Sequence, residues 1–192
     1  MPRSKSDVRE LVRQTRSSRT PAERQSFQKG FTEQLLKLLL TKGARQIAAF
    51  LPMASEPPIR EFLELVHYQG VEILVPRAHA DGTMTWVLFH PDHDQTTSVL
   101  GVPEISEGSG RPSAEALASV DLILLPAAAV DAEGTRLGWG KGFYDRALGS
   151  SSVLAPTYAV VFDDEVMQAL PSEPHDQPVE GAVTPTRVLA FG

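Results

Sequence analysis

The segment Gly134–Leu148, GTRLGWGKGFYDRAL, combines bare backbone, positive charge and aromatic rings. Glycine alternates with other residues over 138–142, so successive backbone N–H groups can approach an anion without interference from side chains. Lys141 lies among these glycines, and Arg136 and Arg146 flank them, which adds charged hydrogen bonds to those of the amides. A helix that begins after the glycines would turn its positive end toward the same anion. The segment therefore predicts a phosphate-binding loop.

This loop differs from both standard nucleotide-binding motifs. A P-loop needs Ser or Thr directly after its Lys, whereas Lys141 is followed by Gly142, and the required upstream glycine is missing. The dinucleotide fingerprint GxGxxG is also absent, because the spacing here is GxGxG and no short strand-turn-helix unit precedes it. On composition alone, the competing interpretation is a flexible glycine-rich surface turn.

Rings and a carboxylate accompany the glycines. Trp139, Phe143 and Tyr144 offer flat surfaces for a purine or a pteridine, although Phe143 and Tyr144, taken singly, fit packing in the core better. Asp145 beside a phosphate site predicts a Mg²⁺ ligand, because Mg²⁺ binds one or two carboxylates together with phosphate oxygens. The alternative is that Asp145 pairs with one of the flanking arginines or stabilises a helix end.

Length and composition restrict the class of protein. A chain of 192 residues with 42% apolar and 22% charged residues fits one globular domain, residues 1–192. The absence of cysteine excludes disulfides, a thiolate nucleophile and Cys-ligated metals. No run approaches the roughly 18 apolar residues of a membrane span, and the N-terminus lacks a secretory apolar region. We therefore expect a cytoplasmic protein without a membrane partner.

Charge is distributed unevenly along the chain. The first 29 residues carry eight Lys/Arg against three Asp/Glu, whereas the remainder carries ten basic and 21 acidic residues. Such a body would repel nucleic acid, so we expect a phosphate-bearing small molecule as the partner of the basic segment.

The basic segment predicts a helix over residues 4–18 that contributes to the nucleotide site. Its basic stripe consists of Lys5, Arg9, Arg13 and Arg16. Its opposite face offers Val8, Leu11 and Val12 for burial. Because charge runs on a helix face are commonly exposed, we expect Arg13, Arg16 and Arg19 to be solvated rather than to contact a ligand.

The remaining pattern predicts an α/β three-layer sandwich with a largely parallel central sheet flanked by helices. A second helix begins with Thr20 as N-cap, Pro21 at the first position and Glu23 at the capping-box position, and ends at Gly43. Further helices are expected in PPIREFLELVHYQ, ended by Gly70, in YDRAL and near DEVMQAL.

The predicted strands are RQIAAFL, VEILVP, MTWVLF, VDLILLP, TYAVVF and TRVLAF, with VDLILLP in the middle of the sheet because it is continuously apolar. We expect two exposed loops, HPDHDQTTS and EISEGSGRPS. Ligands of such sheets bind at the carboxyl ends of the strands, where VDLILLP leads into the glycine-rich segment.

The segment LPAAAVDAEGTRLGWGKGFYDRAL closely resembles the signature of the 5-formyltetrahydrofolate cyclo-ligases, also called 5,10-methenyltetrahydrofolate synthetases. Three further segments resemble the same family in the same order: SKSDVR, FLPMASEPPI and FDDEVMQALPSEPHDQPVEGAVT. Together the four segments extend over most of the chain.

This resemblance implies a Mg²⁺- and ATP-dependent cyclisation of 5-formyltetrahydrofolate to 5,10-methenyltetrahydrofolate. The substrate can carry a polyglutamate tail. In the family's mechanism the formyl oxygen takes the γ-phosphoryl group of ATP, N10 of the folate attacks the activated carbon, and phosphate departs. Positioning, cation clamps and a metal suffice for this chemistry, which needs no enzyme nucleophile. We expect a monomer, with a homodimer as the alternative.

The resemblance also implies residue roles. The catalytic residues would be Lys141, Arg136 and Tyr144. The nucleotide would contact Lys5, Arg9, Arg136, Leu137, Gly138, Trp139, Gly140, Lys141, Gly142, Phe143 and Tyr144. The folate would contact Leu51, Glu56, Trp139, Gly140, Lys141, Gly142 and Phe143. Mg²⁺ would be held by Asp145 and Asp176, whereas His175 is expected to be structural.

Glu56 would accept two hydrogen bonds from the pterin amino and ring N–H groups. Without the resemblance, Glu56 reads as an acidic residue in the first turn of a helix. The family pattern continues with a second acidic residue and Thr, whereas this chain has Pro57 and Pro58, and Trp139 stands where smaller, polar or Tyr residues are common. These departures motivate one alternative, a non-catalytic nucleotide- or folate-binding relative; the other is an ATP-independent isomerase or acyl-transfer enzyme acting on a phosphorylated substrate.

Overall fold

A computed structural model describes residues 4–98, 101–149, 153–173 and 176–191. Its helices are α1 (Lys5–Ser18), α2 (Pro21–Lys42), α3 (Arg60–Tyr68), α4 (Ser113–Ala118) and α5 (Phe143–Gly149). Its strands are β1 (Gln46–Ala48), β2 (Glu72–Ala78), β3 (Met84–Leu88), β4 (Gln95–Thr97), β5 (Pro103–Ile105), β6 (Arg111–Pro112), β7 (Leu122–Pro126), β8 (Ala129–Asp131), β9 (Arg136–Leu137), β10 (Thr157–Val160), β11 (Val166–Met167), β12 (Gly181–Val183) and β13 (Val188–Ala190).

Local sequence signals define both ends of α2. The Thr20 side chain accepts a hydrogen bond from the Glu23 backbone N–H while the Glu23 carboxylate accepts one from the Thr20 N–H, and Pro21 occupies the first turn. This capping box satisfies amides that would otherwise lack partners. Gly43 ends the helix with φ at +63°, a backbone conformation that glycine adopts without steric cost. The predicted start and end of this helix are confirmed.

The central sheet has eight strands in the order β13-β12-β10-β7-β1-β2-β3-β6. Strands β12, β10, β7, β1 and β2 run parallel, while β13 at one edge and β3 and β6 at the other pair antiparallel. Every residue of β7 is buried between β1 and β10, as its continuous apolar sequence predicts.

Helices cover both faces of this sheet. One apolar cluster joins Phe31 and Leu35 of α2 and Phe62 of α3 to the sheet. A second cluster joins Leu117 of α4 and Leu148 of α5 to the opposite face. The three-layer α/β arrangement is therefore confirmed. The carboxyl ends of the parallel strands lie at one edge of the sheet, which the two helical layers flank.

Helix α1 packs on a smaller sheet of order β11-β8-β9. Val8 and Val12 are buried against Ala128, Ala129 and Leu137. Leu11, by contrast, is 38% exposed, because the buried stripe of the helix follows the i, i+4 series through Val8, Val12 and Arg16 rather than the predicted apolar face. The prediction that Leu11 contributes to this packing was wrong.

Several predicted boundaries also need correction. Helix α3 begins at Arg60 and not at Pro57, and the segment near DEVMQAL forms a 3₁₀ turn over Asp163–Glu165 followed by β11 rather than a short α-helix. The two predicted exposed loops contain the paired strands β4 and β5, with Ile105 only 1% exposed. These strands form a short antiparallel hairpin of three residues each, and segments this short carry too few residues for an alternating pattern to reveal them. His175 lies outside the described residues.

Candidate active site

A pocket lies at the carboxyl ends of the parallel strands, where the fold class predicts a ligand. Most of the predicted site residues line it together: Leu51, Glu56, Arg136, Gly138, Trp139, Lys141, Gly142, Phe143, Tyr144 and Asp145. Residues that sequence reasoning missed complete the lining: Phe50, Met53, Pro76, Gly101, Val102, Pro103 and Pro126. Phe50 and Pro126 follow or end buried strands, so the strand-end rule contained a signal for them, whereas Gly101–Pro103 enters through a tertiary contact alone.

Arginine side chains hold the glycine-rich loop in place. The Nε of Arg9 donates to the carbonyl oxygen of Gly138 at 2.8 Å, and the Nη2 of Arg146 donates to that of Lys141 at 2.9 Å. Gly140 and Gly142 have φ values of +92° and +65°, and a Cβ on Gly142 would lie 2.8 Å from Nη1 of Arg146. The glycines thus provide both the left-handed backbone and the close approach of guanidinium groups.

Arg136 and Asp145 form a partly buried ion pair in the wall of the pocket. Arg136 is 4% exposed, and its Nη2 donates to Asp145 Oδ1. Its Nε has no hydrogen-bond partner among the described residues. The interpretation of Asp145 as the partner of a flanking arginine is therefore confirmed, and a Mg²⁺ contact would have to share its carboxylate with Arg136.

Lys5 connects the start of α1 to the segment before β12. Its Nζ lies 2.7 Å from Asp176 Oδ2 and 3.2 Å from Glu173 Oε2. Burial opposes the charge on Lys5, yet the hydrogen bonds and charges of these two carboxylates raise its pKa above the usual value. The backbone N–H of Gln177 lies 3.5 Å from Asp145 Oδ1, so the two predicted Mg²⁺ ligands occupy neighbouring segments.

Within the parts of the chain that the structure describes, no three His, Asp or Glu side chains form a potential metal cluster. Asp145 and Asp176 would accordingly contribute one or two carboxylates, which is the number that Mg²⁺ uses when phosphate oxygens and water complete its shell.

Glu56 lies in a turn that precedes α3. Its carboxylate is 7% exposed and accepts a hydrogen bond from the Met53 N–H at 2.9 Å. Burial raises the pKa of Glu56, while the Met53 N–H and the positive charge of Arg16 oppose that rise. Since α3 begins at Arg60, the interpretation of Glu56 as a first-turn helix residue was wrong.

The three rings of the motif both line the pocket and pack within the protein. Trp139 lies beneath the guanidinium groups of Arg13 and Arg16, whose central carbons are 5.6 and 5.1 Å from its ring centroid. Phe143 packs similarly beneath Arg146 at 5.3 Å. Desolvation raises the pKa of Tyr144 far above its ordinary value, so its hydroxyl keeps its proton and can donate a hydrogen bond.

Leu137, Arg9 and Gly140 belong to the predicted nucleotide set but do not line this pocket. Leu137 is 2% exposed and packs against α1, while the central carbon of the Arg9 guanidinium lies 3.5 Å from where a Cβ on Gly140 would stand. Arg9 and Gly140 therefore lie beside the pocket along the contact between α1 and the glycine-rich loop.

The prediction of solvated arginines on α1 fails for two of the three residues. Arg13 has a 55% exposed side chain, as expected. Arg16 is 1% exposed and pairs with Glu165, and the Arg19 side chain is 8% exposed and pairs with Asp164 at 2.8 Å. Both carboxylates lie in the 3₁₀ turn, almost the length of the chain away, which is why helical periodicity alone could not identify them as partners.

Within the described residues, no helix is both long and apolar enough to traverse a bilayer.

Sequence and structure comparisons agree on one family. Residues 2–185 match the model of the 5-formyltetrahydrofolate cyclo-ligase family. A 5-formyltetrahydrofolate cyclo-ligase of Mycolicibacterium smegmatis is 34% identical over 97% of this chain and 96% of its own, and one of Escherichia coli is 26% identical over 93% and 98%.

Among solved structures, the NMR structure of Aquifex aeolicus 5,10-methenyltetrahydrofolate synthetase superposes with a TM-score of 0.81 at 27% identity, covering 97% of this chain and 92% of the other. A 5,10-methenyltetrahydrofolate synthetase from Mycoplasma pneumoniae has a TM-score of 0.74 at 18% identity, covering 94% and 98%, and shares the fold. The signature loop, the pocket and these matches agree, and the chain belongs to the 5-formyltetrahydrofolate cyclo-ligase family of enzymes.

Proposed function

We propose that this protein cyclises 5-formyltetrahydrofolate to 5,10-methenyltetrahydrofolate, using ATP as co-substrate and Mg²⁺ as cofactor and releasing ADP and phosphate. The observation that carries the proposal is that the buried residue Glu56 and the glycine-rich loop line one and the same pocket. Such a pocket can hold a pterin and a nucleotide phosphate side by side.

The residues around the loop fit a polyphosphate. Arg136 and Lys141 line the pocket, Arg9 lies at the outer side of the loop, and Lys5 lies beyond it on α1. The Nε of Arg136 is a buried donor without a partner among the described residues, and glycine leaves room where a side chain would crowd the guanidinium groups. A phosphate group would supply acceptors for these donors through charge-assisted hydrogen bonds.

The carboxylates of Asp145 and Asp176 fit Mg²⁺, which prefers oxygen ligands. When bound with ATP, the metal would neutralise part of the phosphate charge. Lys5 already contacts Asp176, and we infer that this cation keeps the acidic segment beside the phosphates.

The folate side of the pocket is mostly apolar. Phe50, Leu51 and Met53 would pack against the pterin ring, and the Glu56 carboxylate would accept hydrogen bonds from its amino and ring N–H groups. Only the ionised form of Glu56 can accept both, so its charge matters for recognition.

The chain then acts by positioning and charge stabilisation. Arg136 and Lys141 would stabilise the phosphoryl group as it passes to the formyl oxygen, and the protonated Tyr144 hydroxyl would donate a hydrogen bond to developing negative charge. Attack of N10 on the activated carbon and departure of phosphate complete the reaction, with no covalent bond to the enzyme.

The direct test incubates the purified protein with 5-formyltetrahydrofolate, ATP and Mg²⁺ and follows the near-ultraviolet absorbance of the methenyl product. Reactions without ATP, or with a chelator, should show no product. ATP binding by calorimetry in the absence of product would exclude this substrate, and product without ATP would favour an ATP-independent enzyme.

A further inference from the structure

The most completely buried cation of the protein's N-terminal helix makes contacts on several sides. Arg16 donates from Nε and Nη2 to the two carboxylate oxygens of Glu165 at 2.7 and 2.8 Å, and from Nη2 to the Ala127 carbonyl at 2.8 Å. Its guanidinium lies over the rings of Trp139 and Phe162, at 5.1 and 5.4 Å. These contacts fix both the place and the plane of the guanidinium.

Arg16 also borders a small cavity that lies behind the active-site pocket. Glu56 lines this cavity together with Arg16, Arg19 and Arg24. Glu56 lines the active-site pocket too, so the two spaces meet at this residue. The Nη1 atoms of Arg16 and Arg19 are buried and have no hydrogen-bond partner among the described residues.

The charged and titratable groups around Glu56 come from several elements. Helix α1 contributes Arg16, the residue that follows this helix is Arg19, and α2 contributes Arg24, whose Nη1 donates to the Ala54 carbonyl at 2.9 Å. The opposite side of Glu56, across the active-site pocket, contributes Arg136, Lys141, Tyr144 and Asp145.

Most of these cations are engaged elsewhere or lie on the far side of the pocket. Arg136 is paired with Asp145, and Arg19 with Asp164. Arg16 is itself paired with Glu165, yet its charge still favours the ionised form of Glu56. Arg16 and Glu56 line the same cavity, and Nη1 of Arg16 has no hydrogen-bond partner among the described residues.

We infer that Arg16 is a positioning residue for substrate recognition: held by Glu165, its guanidinium keeps Glu56, across the shared cavity, ionised and available to the pterin. This inference rests on the proposed function, because it assigns Glu56 the task of accepting hydrogen bonds from the substrate.

The physical reason is the cost of burying a carboxylate. Burial favours the protonated form of Glu56, which has fewer acceptor sites and presents a donor to the pterin N–H groups. A fixed positive charge nearby reverses part of this preference without occupying the pocket. Arg16 can supply that charge because it approaches from α1, behind the substrate.

The test measures kcat/KM for 5-formyltetrahydrofolate as a function of pH at saturating ATP. The acid limb of this profile, where kcat/KM falls as the pH is lowered, reports the ionisation of groups in the free enzyme. In Arg16→Met the acid limb should move to higher pH by about one unit, so kcat/KM below the midpoint of the limb should be roughly tenfold lower. The KM for ATP should stay within about twofold of the unmodified enzyme. In Glu56→Gln the limb due to this group should disappear.

Val12→Ala is the matched control for disturbance of α1. Val12 is buried on the same helix, so its truncation loosens the helix without changing the charge near Glu56. Its acid limb should stay in place while its melting temperature falls. An unmoved limb in Arg16→Met, or an equal movement in Val12→Ala, would overturn the inference.

Glu165→Gln provides a second, opposite test if Arg16→Met does not fold. The amide keeps an acceptor for Arg16 but removes the countercharge, so the acid limb should move to lower pH; an upward movement or none contradicts the inference. Calorimetric affinity for 5-formyltetrahydrofolate across the same pH range gives the same comparison without turnover. Because this binding comparison needs no turnover, it tests the role of Arg16 by itself. Failure of the unmodified protein to form product would reject the proposed function, which is a different outcome.

Discussion

The two walls of the pocket hold charge in different ways. The proposed nucleotide wall, residues 136–145, contains the Arg136–Asp145 ion pair, and its loop is bound by Arg9. The proposed folate wall lies within residues 50–56, and its pocket-lining side chains are apolar except for Glu56, whose carboxylate has one backbone donor. We therefore expect the two walls to respond differently when a ligand binds.

In the proposed function, a phosphate that binds at the nucleotide wall would join or exchange existing ion pairs, so the same side chains would serve stability and catalysis. A pterin arriving at the folate wall would supply donors to a carboxylate whose burial disfavours its charge. Substitution of the paired residues Arg136 and Asp145 should consequently affect folding and turnover together, whereas substitution of Glu56 should affect substrate affinity while relieving a cost in the free protein.

The largest effect is expected for Asp145→Asn. Turnover should fall roughly 100- to 1000-fold because Mg²⁺ and phosphate positioning are lost. The free energy of unfolding should fall by about 3 kcal/mol because Arg136 loses its countercharge. Methenyl formation against Mg²⁺ concentration and denaturant unfolding measure the two effects.

Glu64→Gln is the matched control for Asp145→Asn, since Glu64 pairs with Arg60 at 2.6 Å on the surface. This substitution should lower the free energy of unfolding by less than about 1 kcal/mol and leave turnover unchanged. Loss of stability in Asp145→Asn with an unchanged Mg²⁺ dependence would restrict Asp145 to its role as a counter-ion.

Lys141→Ala should lower kcat about 100-fold, because a cation that stabilises the transferred phosphoryl group is removed. Lys141 is exposed, so the free energy of unfolding should change by no more than about 0.5 kcal/mol and the melting temperature by about 1–2 °C. Lys37→Ala, an exposed charge removal on α2, is the control and should leave kcat unchanged. Proportional losses of stability and turnover would indicate a structural role for Lys141.

Glu56→Gln should raise the KM for 5-formyltetrahydrofolate about tenfold and leave the KM for ATP unchanged, because a charged hydrogen-bond acceptor is lost. A parallel rise in the KM for ATP would contradict the separation of the two walls.

Although Glu56→Gln should weaken substrate binding, it should stabilise the folded protein. Because the folded-state pKa of Glu56 is raised, its stabilising contribution is present below the unfolded pKa and is lost as pH rises through the folded pKa. Above that range Glu56→Gln should unfold at a higher temperature than the unmodified protein, and the gain should diminish on acidification.

The smallest effect is expected for Gly142→Ala. The φ of +65° should cost about 1 kcal/mol for a residue with a Cβ, and the displaced Arg146 end should raise the KM for ATP about threefold. Gly43→Ala carries the same strain, with φ at +63° and no atom within 4 Å of the added Cβ, far from the pocket. Equal catalytic effects in both variants would show that the loop backbone tolerates this change.

Sequence reasoning identified most of the pocket because its residues cluster in two short segments. The stretch around Leu51 and Glu56 follows β1, and the glycine-rich loop follows β7 after the intervening strands β8 and β9. Because β1 and β7 are parallel, their carboxyl ends lie at one edge of the sheet. The remaining lining, such as Val102 and Pro103, could not be inferred, because β5 reaches the pocket through its contact with β2, where Arg77 donates to the Ile105 carbonyl.

The sequence by itself determined the caps of α2, the burial of β7 and the left-handed glycines of the loop. These features depend on hydrogen bonds within a few residues, on continuous apolar sequence or on the absence of a Cβ. Only the tertiary structure decided that Arg16 is buried, that its partner is Glu165, 149 positions away, and that Asp145 pairs with Arg136. The reason is physical: a charged side chain has the same local propensity whether water or a distant carboxylate surrounds it, and packing of remote segments selects between the two.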